Sequence, residues 1–322
     1  MELSCAFPPR PDLPQLVRHA EELGYRHAWV YDSPALFGDC WMALARCADA
    51  TSTIGLGPAV LVPSLRHVMV NAAAIADLEQ MAPGRTTAAL GTGFTGRFVL
   101  GQRPMTWAAT ETYLRQLIGL LRGDVVEVDG APVRMIHPDG YVASRPVRTP
   151  ILVGANGPKG LAVAAAVGAD GVVSIFGGQP GWDRCALFAY GTVLDEGEDL
   201  SSDRVMEAAG PGAAVVFHGM YEAGPELLDG FEGGPEWRDA VEAFPERERH
   251  LHTHEEHFVG MTGRDRASVT RDLISATTWT GSPEQLRQRL DDVAAGGVTE
   301  FMYAPMGSDI HRELEAVRAL FP

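Results

Sequence analysis

The chain almost lacks lysine: Lys159 is the only one, and every other basic side chain apart from histidine is arginine. It lacks a CxxC pair as well. Its four cysteines, Cys5, Cys40, Cys47 and Cys185, are scattered, so reduced thiols in a cytoplasmic protein are the expectation. No apolar run approaches the length that spans a bilayer. The opening MELSCAFPPRPDLPQ has no basic region followed by an apolar segment, so no secretory signal and no membrane association are expected. Positive charge is in deficit. A net charge of −16 excludes an extended nucleic-acid surface but leaves room for a local basic pocket. High Ala, Gly and Arg with a single Lys reads as codon bias, which accounts for the missing lysines without invoking function.

What is present is an apolar fraction of 46% with 21% charged residues, enough for a substantial core in 322 residues. The segment ILVGANGPKGLAVAAAVGADGVV (151–173) reads as strand, Gly-rich turn, helix and strand, and it holds Lys159. A glycine turn opening a helix offers free N–H groups and the positive end of a dipole to an anion. Pro158 suits the first helical position, and a compact ammonium could neutralise a phosphate. A plain βα turn with a surface lysine explains the same residues.

One joint recurs: a helix ends at Gly or a small residue and an apolar strand follows. It occurs at 20–31, 164–176 and 291–304, with a Pro83-Gly84 version at 74–91. The strands are short, rich in Val, Ile and Ala, and barely alternating, as parallel strands buried on both faces are. Candidates are 2–6, 27–31, 54–60, 86–91, 151–154, 171–175, 213–218 and 300–303. Eight strands spread over the full length predict an α/β chain folded as one (β/α)8 TIM barrel, residues 1–322, ahead of an open doubly wound sheet. Ser282, Pro283 and Gln285 predict a capped last helix. Helices are expected near 107–121, 235–244 and 266–275. The Gly/Pro/Glu-rich stretch 219–281 is expected to be a lid insertion at the catalytic face.

Four of the expected strand ends look alike: Asp32-Ser33-Pro34, Pro58-Ala59-Val60, Gly91-Thr92-Gly93, and Gly154 to Lys159. Barrel sites form at such ends, and small residues there leave room for a flat ring. Phe94, Ile175 and Phe176 would add an apolar wall.

The stretches GLGPAVLVPSLRHVMVNAAAIADLEQMAPGRTTAALGTGFTGR (55–97) and 151–173 resemble the bacterial-luciferase-like superfamily. More narrowly they resemble its branch related to 5,10-methylenetetrahydromethanopterin reductase, which uses the deazaflavin coenzyme F420. The resemblance implies a non-prolyl cis peptide at Ala59–Val60, behind the cofactor ring. It implies cofactor contacts at Asp32, Val62, Thr92, Gly93 and Arg97, with the phosphate held by Asn156, Gly157, Lys159 and Gly160. Arg66-His67 would hold the loop around Pro63. In sugar-phosphate-oxidising members of the branch a His follows the aspartate and an acidic residue follows GTG. Here Ser33 and Phe94 stand there, so glucose 6-phosphate is not expected as substrate. Homodimers are common among these relatives, and a homodimer is expected.

The run HLHTHEEH (250–257) departs from the HExxH zinc spacing. If helical, it aligns His250, His254 and His257 on one face, which could bind a metal, but Glu255 would point away from that face, so no metal is expected and a solvated polar face is the plainest reading. His254 is a candidate substrate contact or proton donor. His218 is another, at the end of the strand expected at 213–218. The leading expectation is an oxidoreductase moving a hydride between F420 and a small organic substrate, its alternative an FMN-dependent luciferase-like monooxygenase. A cofactor-storing or sensing barrel and a phosphosugar enzyme without redox chemistry are the further readings.

Overall fold

The computed structural model describes residues 1–322. Eight parallel strands form its centre: β1 (Glu2–Phe7), β2 (His27–Val30), β3 (Gly55–Pro58), β4 (Ala88–Leu90), β5 (Ile151–Gly154), β6 (Gly171–Ser174), β7 (Cys185–Tyr190) and β8 (Glu300–Ala304). They pair in the order β3-β2-β1-β8-β7-β6-β5-β4. β3 and β4 close the ring through bridges Leu56–Thr86 and Leu61–Leu90. Across that seam the Leu61 N–H donates to Ala89 O at 2.7 Å and the Gly91 N–H to Leu61 O at 3.1 Å. The result is a closed (β/α)8 barrel of the TIM type.

Thirteen helices surround and extend it: α1 (Leu13–Glu22), α2 (Cys40–Ala50), α3 (Val68–Met81), α4 (Thr95–Phe98), α5 (Trp107–Arg122), α6 (Pro158–Val167), α7 (Asp203–Ala223), α8 (Gly234–Glu242), α9 (Arg249–Thr253), α10 (Gly263–Ser268), α11 (Arg271–Thr277), α12 (Pro283–Ala295) and α13 (Ile310–Arg318). A two-strand hairpin, Val126–Val128 with Ala131–Val133, follows α5. The helix-ending glycines behave as read: Gly24, Gly84 and Gly168 take left-handed backbone, with φ of 86°, 72° and 68°. Ser282 and Gln285 form the capping box of α12, but α12 is not the last helix, since α13 follows β8. None of the helices is long and apolar enough to cross a membrane. The four cysteines are buried and unpaired.

Two further expectations fail. Residues 213–218 are not a strand; they lie in the middle of α7, capped by Ser202 and running through Pro211. Gly210-Pro211-Gly212 reads as a turn, yet the glycines serve close approach instead. A Cβ at Gly210 would stand 2.6 Å from Met261 Sδ, and one at Gly212 would stand 2.3 Å from Tyr190 Cδ2. The eighth barrel strand is β7, an apolar run that no helix separates from β6. The helix expected at 266–275 is two, α10 and α11, broken at Val269-Thr270.

The main core lies between strands and outer helices, while Ala6, Trp29, Ala89, Leu152, Val173, Ala186, Met302 and Ala304 pack inside the barrel. Between β7 and β8 the insertion buries its own cluster around Phe217, Trp237 and Ile274.

The β3–β4 seam demands glycine at position 57, because a Cβ there would meet Thr87 O at 1.6 Å. Gly57→Ala is expected to destabilise the fold by on the order of 4 kcal/mol, read as loss of soluble protein or a strongly lowered melting temperature. Gly219→Ala, with nothing within 4 Å, is expected to leave the melt unchanged.

Candidate active site

A cavity of about 220 Å3 opens at the C-terminal ends of the strands, lined from seven of the eight strand ends. Asp32 and Ser33 follow β2, Ala59, Val60 and Val62 follow β3, and Gly91 to Gly96 follow β4. Gly154 and Asn156 come from the end of β5, Ile175 from that of β6, Phe188 from β7 and Met302 from β8.

The Ala59–Val60 peptide is cis, as the resemblance implies. It sits between the two halves of the β3–β4 seam and turns Val60 over the barrel mouth. Gly91 and Gly154 flank that side chain so closely that a Cβ on either would stand 3.0 Å from a Val60 methyl. The outcome is a smooth apolar floor. Gly93, with φ +78°, passes Val62 at a distance that a Cβ would reduce to 2.5 Å, so no other residue fits there without strain.

Asp32 is fully buried and its carboxylate is occupied. Arg66 Nη1 donates to both oxygens at 2.8 Å, and the Val62 N–H donates to Oδ2 at 3.1 Å. Arg66 Nη2 reaches Asp39 Oδ2 at 2.8 Å, and Asp39 in turn caps α2. Burial pushes the Asp39 carboxyl up, but Arg66 and the Met42 and Trp41 amides outweigh it and hold it below its usual range. Asp32 therefore ties β2 to the loop after the cis peptide, while part of it still faces the cavity. The expectation that Arg66 holds this loop is met, through a partner that was read as a cofactor contact.

The other cofactor candidates divide. Asn156 Oδ1 accepts from the Ile175 N–H at 2.8 Å and from Ser174 Oγ at 3.2 Å, which fixes it at the rim. Gly157 opens α6 with no side-chain cap, and Lys159 is exposed in the first turn. Gly160 instead faces Trp107, where a Cβ would stand 2.5 Å from the indole; it serves the packing of α6 on α5. Arg97 is drawn aside, donating to Arg103 O at 2.6 Å and to Ser64 Oγ. Thr92 lines the cavity, and its carbonyl accepts from the Met105 N–H at 2.9 Å. Phe94 and Ile175 line the mouth and are 61% and 51% exposed, a large apolar area left open to a ligand.

The insertion supplies the far wall with His257 and Phe258. Phe258 plugs the barrel rim, with its ring centroid 5.5 Å from Phe188 and 5.2 Å from Tyr190. Its φ of +60°, like the +59° of Glu256, is a backbone state that bulky residues adopt only where the surroundings enforce it. Sequence reasoning overlooked Phe258, Phe188 and Tyr31; isolated aromatics between strands carry no periodic signal.

The histidines are not a solvated face. His218, His254 and His257 are 1%, 2% and 6% exposed, because the run bends away from helix after Thr253. The set that converges is 218, 254 and 257, and His250 is not part of it; it borders a separate shallow groove. Neither His218 nor His254 reaches the cavity wall; both lie behind His257. Burial drives His257 well below its usual range, with His218 and His254 adding to it. Burial likewise takes His218 down to about 4, against the opposing pull of Asp265. Burial raises Asp265 in turn, but the nearby His218 and the hydrogen bonds from Thr262 and Trp237 win and bring it to about 2.

The profile of the luciferase-like monooxygenase family matches residues 8–300, and the chain belongs to that family. It is 26% identical over 323 residues to a 5,10-methylenetetrahydromethanopterin reductase of Archaeoglobus fulgidus, covering 95% of this chain and 93% of the relative. Two solved structures share the fold. The F420-dependent tetrahydromethanopterin reductase of Methanopyrus kandleri superposes with a TM-score of 0.71 at 20% identity, covering 99% of this chain and 98% of the other. An F420-dependent secondary alcohol dehydrogenase, bound to an F420–acetone adduct, gives 0.69 at 14% identity over 100% and 98%.

Arg66→Met would leave the Asp32 carboxylate buried without its cation. A loss of about 3–5 kcal/mol in urea unfolding is expected. Asp32→Asn combined with Arg66→Met should lose less than Arg66→Met alone; an equal or larger loss would contradict the pairing.

Proposed function

We propose that the chain is an F420-dependent oxidoreductase that moves a hydride between the coenzyme and a small organic substrate. The observation that carries this reading is the floor built by the cis Ala59–Val60 bulge between Gly91 and Gly154. A flat tricyclic ring lies against such a floor, and backbone amides can approach it where Gly93 and Gly154 lack side chains. The resemblance of 55–97 and 151–173 to the F420-using branch supports a deazaflavin over FMN. Ala59, Val60, Val62, Thr92 and Gly93 would bed the ring. Asn156, Gly157 and Lys159 would receive an anionic tail leaving the cavity. Arg97 could join them only by giving up Ser64, and Gly160 supports Trp107 instead.

When bound, F420 supplies the ring carbon that gives or takes the hydride. This chain's residues supply position and dryness. Val60 sets one face of the slot; Phe188, Phe258 and Ile175 shield the other from water, which fixes the reacting distance. Neither His254 nor His218 touches this space, so neither is assigned a catalytic role. Ser33 and Phe94 at the mouth carry no acid–base group suited to a sugar hydroxyl. An uncharged, largely apolar substrate fits this wall.

Titration of F420 and of FMN against tryptophan fluorescence is expected to show tighter binding of F420; tighter FMN would favour a monooxygenase instead. With oxidised F420 and glucose 6-phosphate no turnover is expected, and measurable reduction of the coenzyme would contradict the substrate assignment.

A further inference from the structure

Three buried histidines, His257 in the cavity wall with His218 and His254 behind it, bring their Nδ1 atoms together. His218 Nδ1 and His257 Nδ1 are 2.8 Å apart, His254 Nδ1 and His257 Nδ1 are 3.4 Å apart, and all three ligand atoms lie within 4.8 Å. Each outward Nε2 faces an oxygen. For His257 it is Thr95 Oγ1, in a hydrogen bond of 3.2 Å; for His254 it is Glu222 Oε1 at 3.4 Å and for His218 Asp265 Oδ1 at 3.7 Å, neither in hydrogen-bonding geometry.

Hydrogen bonding alone does not satisfy this arrangement. A ring nitrogen has either one proton or one in-plane lone pair. If the outward nitrogens carry the protons, as the facing oxygens favour, three lone pairs converge in a dry space, where each unsatisfied nitrogen is costly. One shared proton satisfies one pair and leaves the third nitrogen without a partner. A cation satisfies all three at once. Metal–nitrogen bonds of about 2.0–2.1 Å set neighbouring ligand nitrogens about 3.3 Å apart in a tetrahedral site; the 3.4 Å contact matches that spacing, and the 2.8 Å contact has to widen slightly to admit the ion. Oxygen acceptors behind ligating imidazoles are the usual support of such a site.

We propose that His218, His254 and His257 bind a divalent transition-metal ion of the zinc class, imidazole being its preferred neutral ligand. No fourth side chain joins the set, so a water or a small exogenous oxygen or nitrogen donor completes the shell. The ion joins α7 to the turn that carries Phe258, and so fixes the far wall of the cavity to the helix at the core of the insertion. This site stands apart from the redox reading and does not depend on which coenzyme the cavity holds.

The test uses the full chain. After dialysis against a chelator, the protein is titrated with Zn2+ and with Co2+, followed by elemental analysis, thermal melting and visible absorption. One tightly held equivalent, a raised melting temperature and the intense bands of four-coordinate cobalt are expected. His254→Gln and His257→Gln should lose all three signals while keeping the wild-type far-ultraviolet circular dichroism. His250→Ala and His252→Ala should retain them. If either Gln variant fails to fold, the stripped wild type still decides. A folded wild-type chain that binds Zn2+ only weakly or substoichiometrically would overturn the proposal, as would equal binding by the Gln variants.

Discussion

One buried ion pair organises the mouth of the barrel. Asp32 leaves β2 with its side chain shut off from solvent, and Arg66 closes on both of its oxygens from the far end of the loop that follows β3. A carboxylate in that position is tolerable only with its cation in place. The pair therefore fixes the loop 59–66, the loop carries the cis bulge, and the bulge presents Val60 to the cavity. Asp39 extends the same arginine to the start of α2. Function thus begins with a structural tie made by a residue that also borders the ligand space.

The second constraint comes from the insertion. Its small core is separate from the barrel's, so it needs its own attachment. Phe258 provides the apolar part of that attachment among Phe188, Tyr190 and Tyr31. The hydrogen bond between His257 Nε2 and Thr95 Oγ1 provides a polar part. Both end at the turn 254–258, where Glu256 and Phe258 hold left-handed backbone. The cavity wall most distant from the barrel is therefore defined by a few side chains packed in one turn.

Seven barrel strands were legible because their signals are local, whereas the cis bulge was legible only through the family resemblance of 55–97. Glycine ends a helix for steric reasons, and buried parallel strands read as short apolar runs. The eighth strand was misplaced because Gly210-Pro211-Gly212 imitates a turn while serving helix-to-barrel contact, and because β7 follows β6 without a helix. The cavity lining was legible at 91–93, 154 and 156. It was not legible in its long-range side-chain parts. Nothing near Asp32 in the chain announces Arg66, 34 residues on, and nothing in HLHTHEEH announces that His218 will complete it. Arg97 and Gly160 show the converse: residues of suitable type whose neighbours, Ser64 and Trp107, claim them.

The central claim is that the bulge at Ala59–Val60, held by Asp32 and Arg66, seats the ring of F420. The structure of the complex with F420 tests it most directly. The ring is predicted to lie against Val60 between Gly91 and Gly154, with Arg66 still closed on Asp32 and the anionic tail leaving past Asn156 and Lys159. A ring seated elsewhere, or Arg66 released from Asp32 to bind the coenzyme, would contradict it.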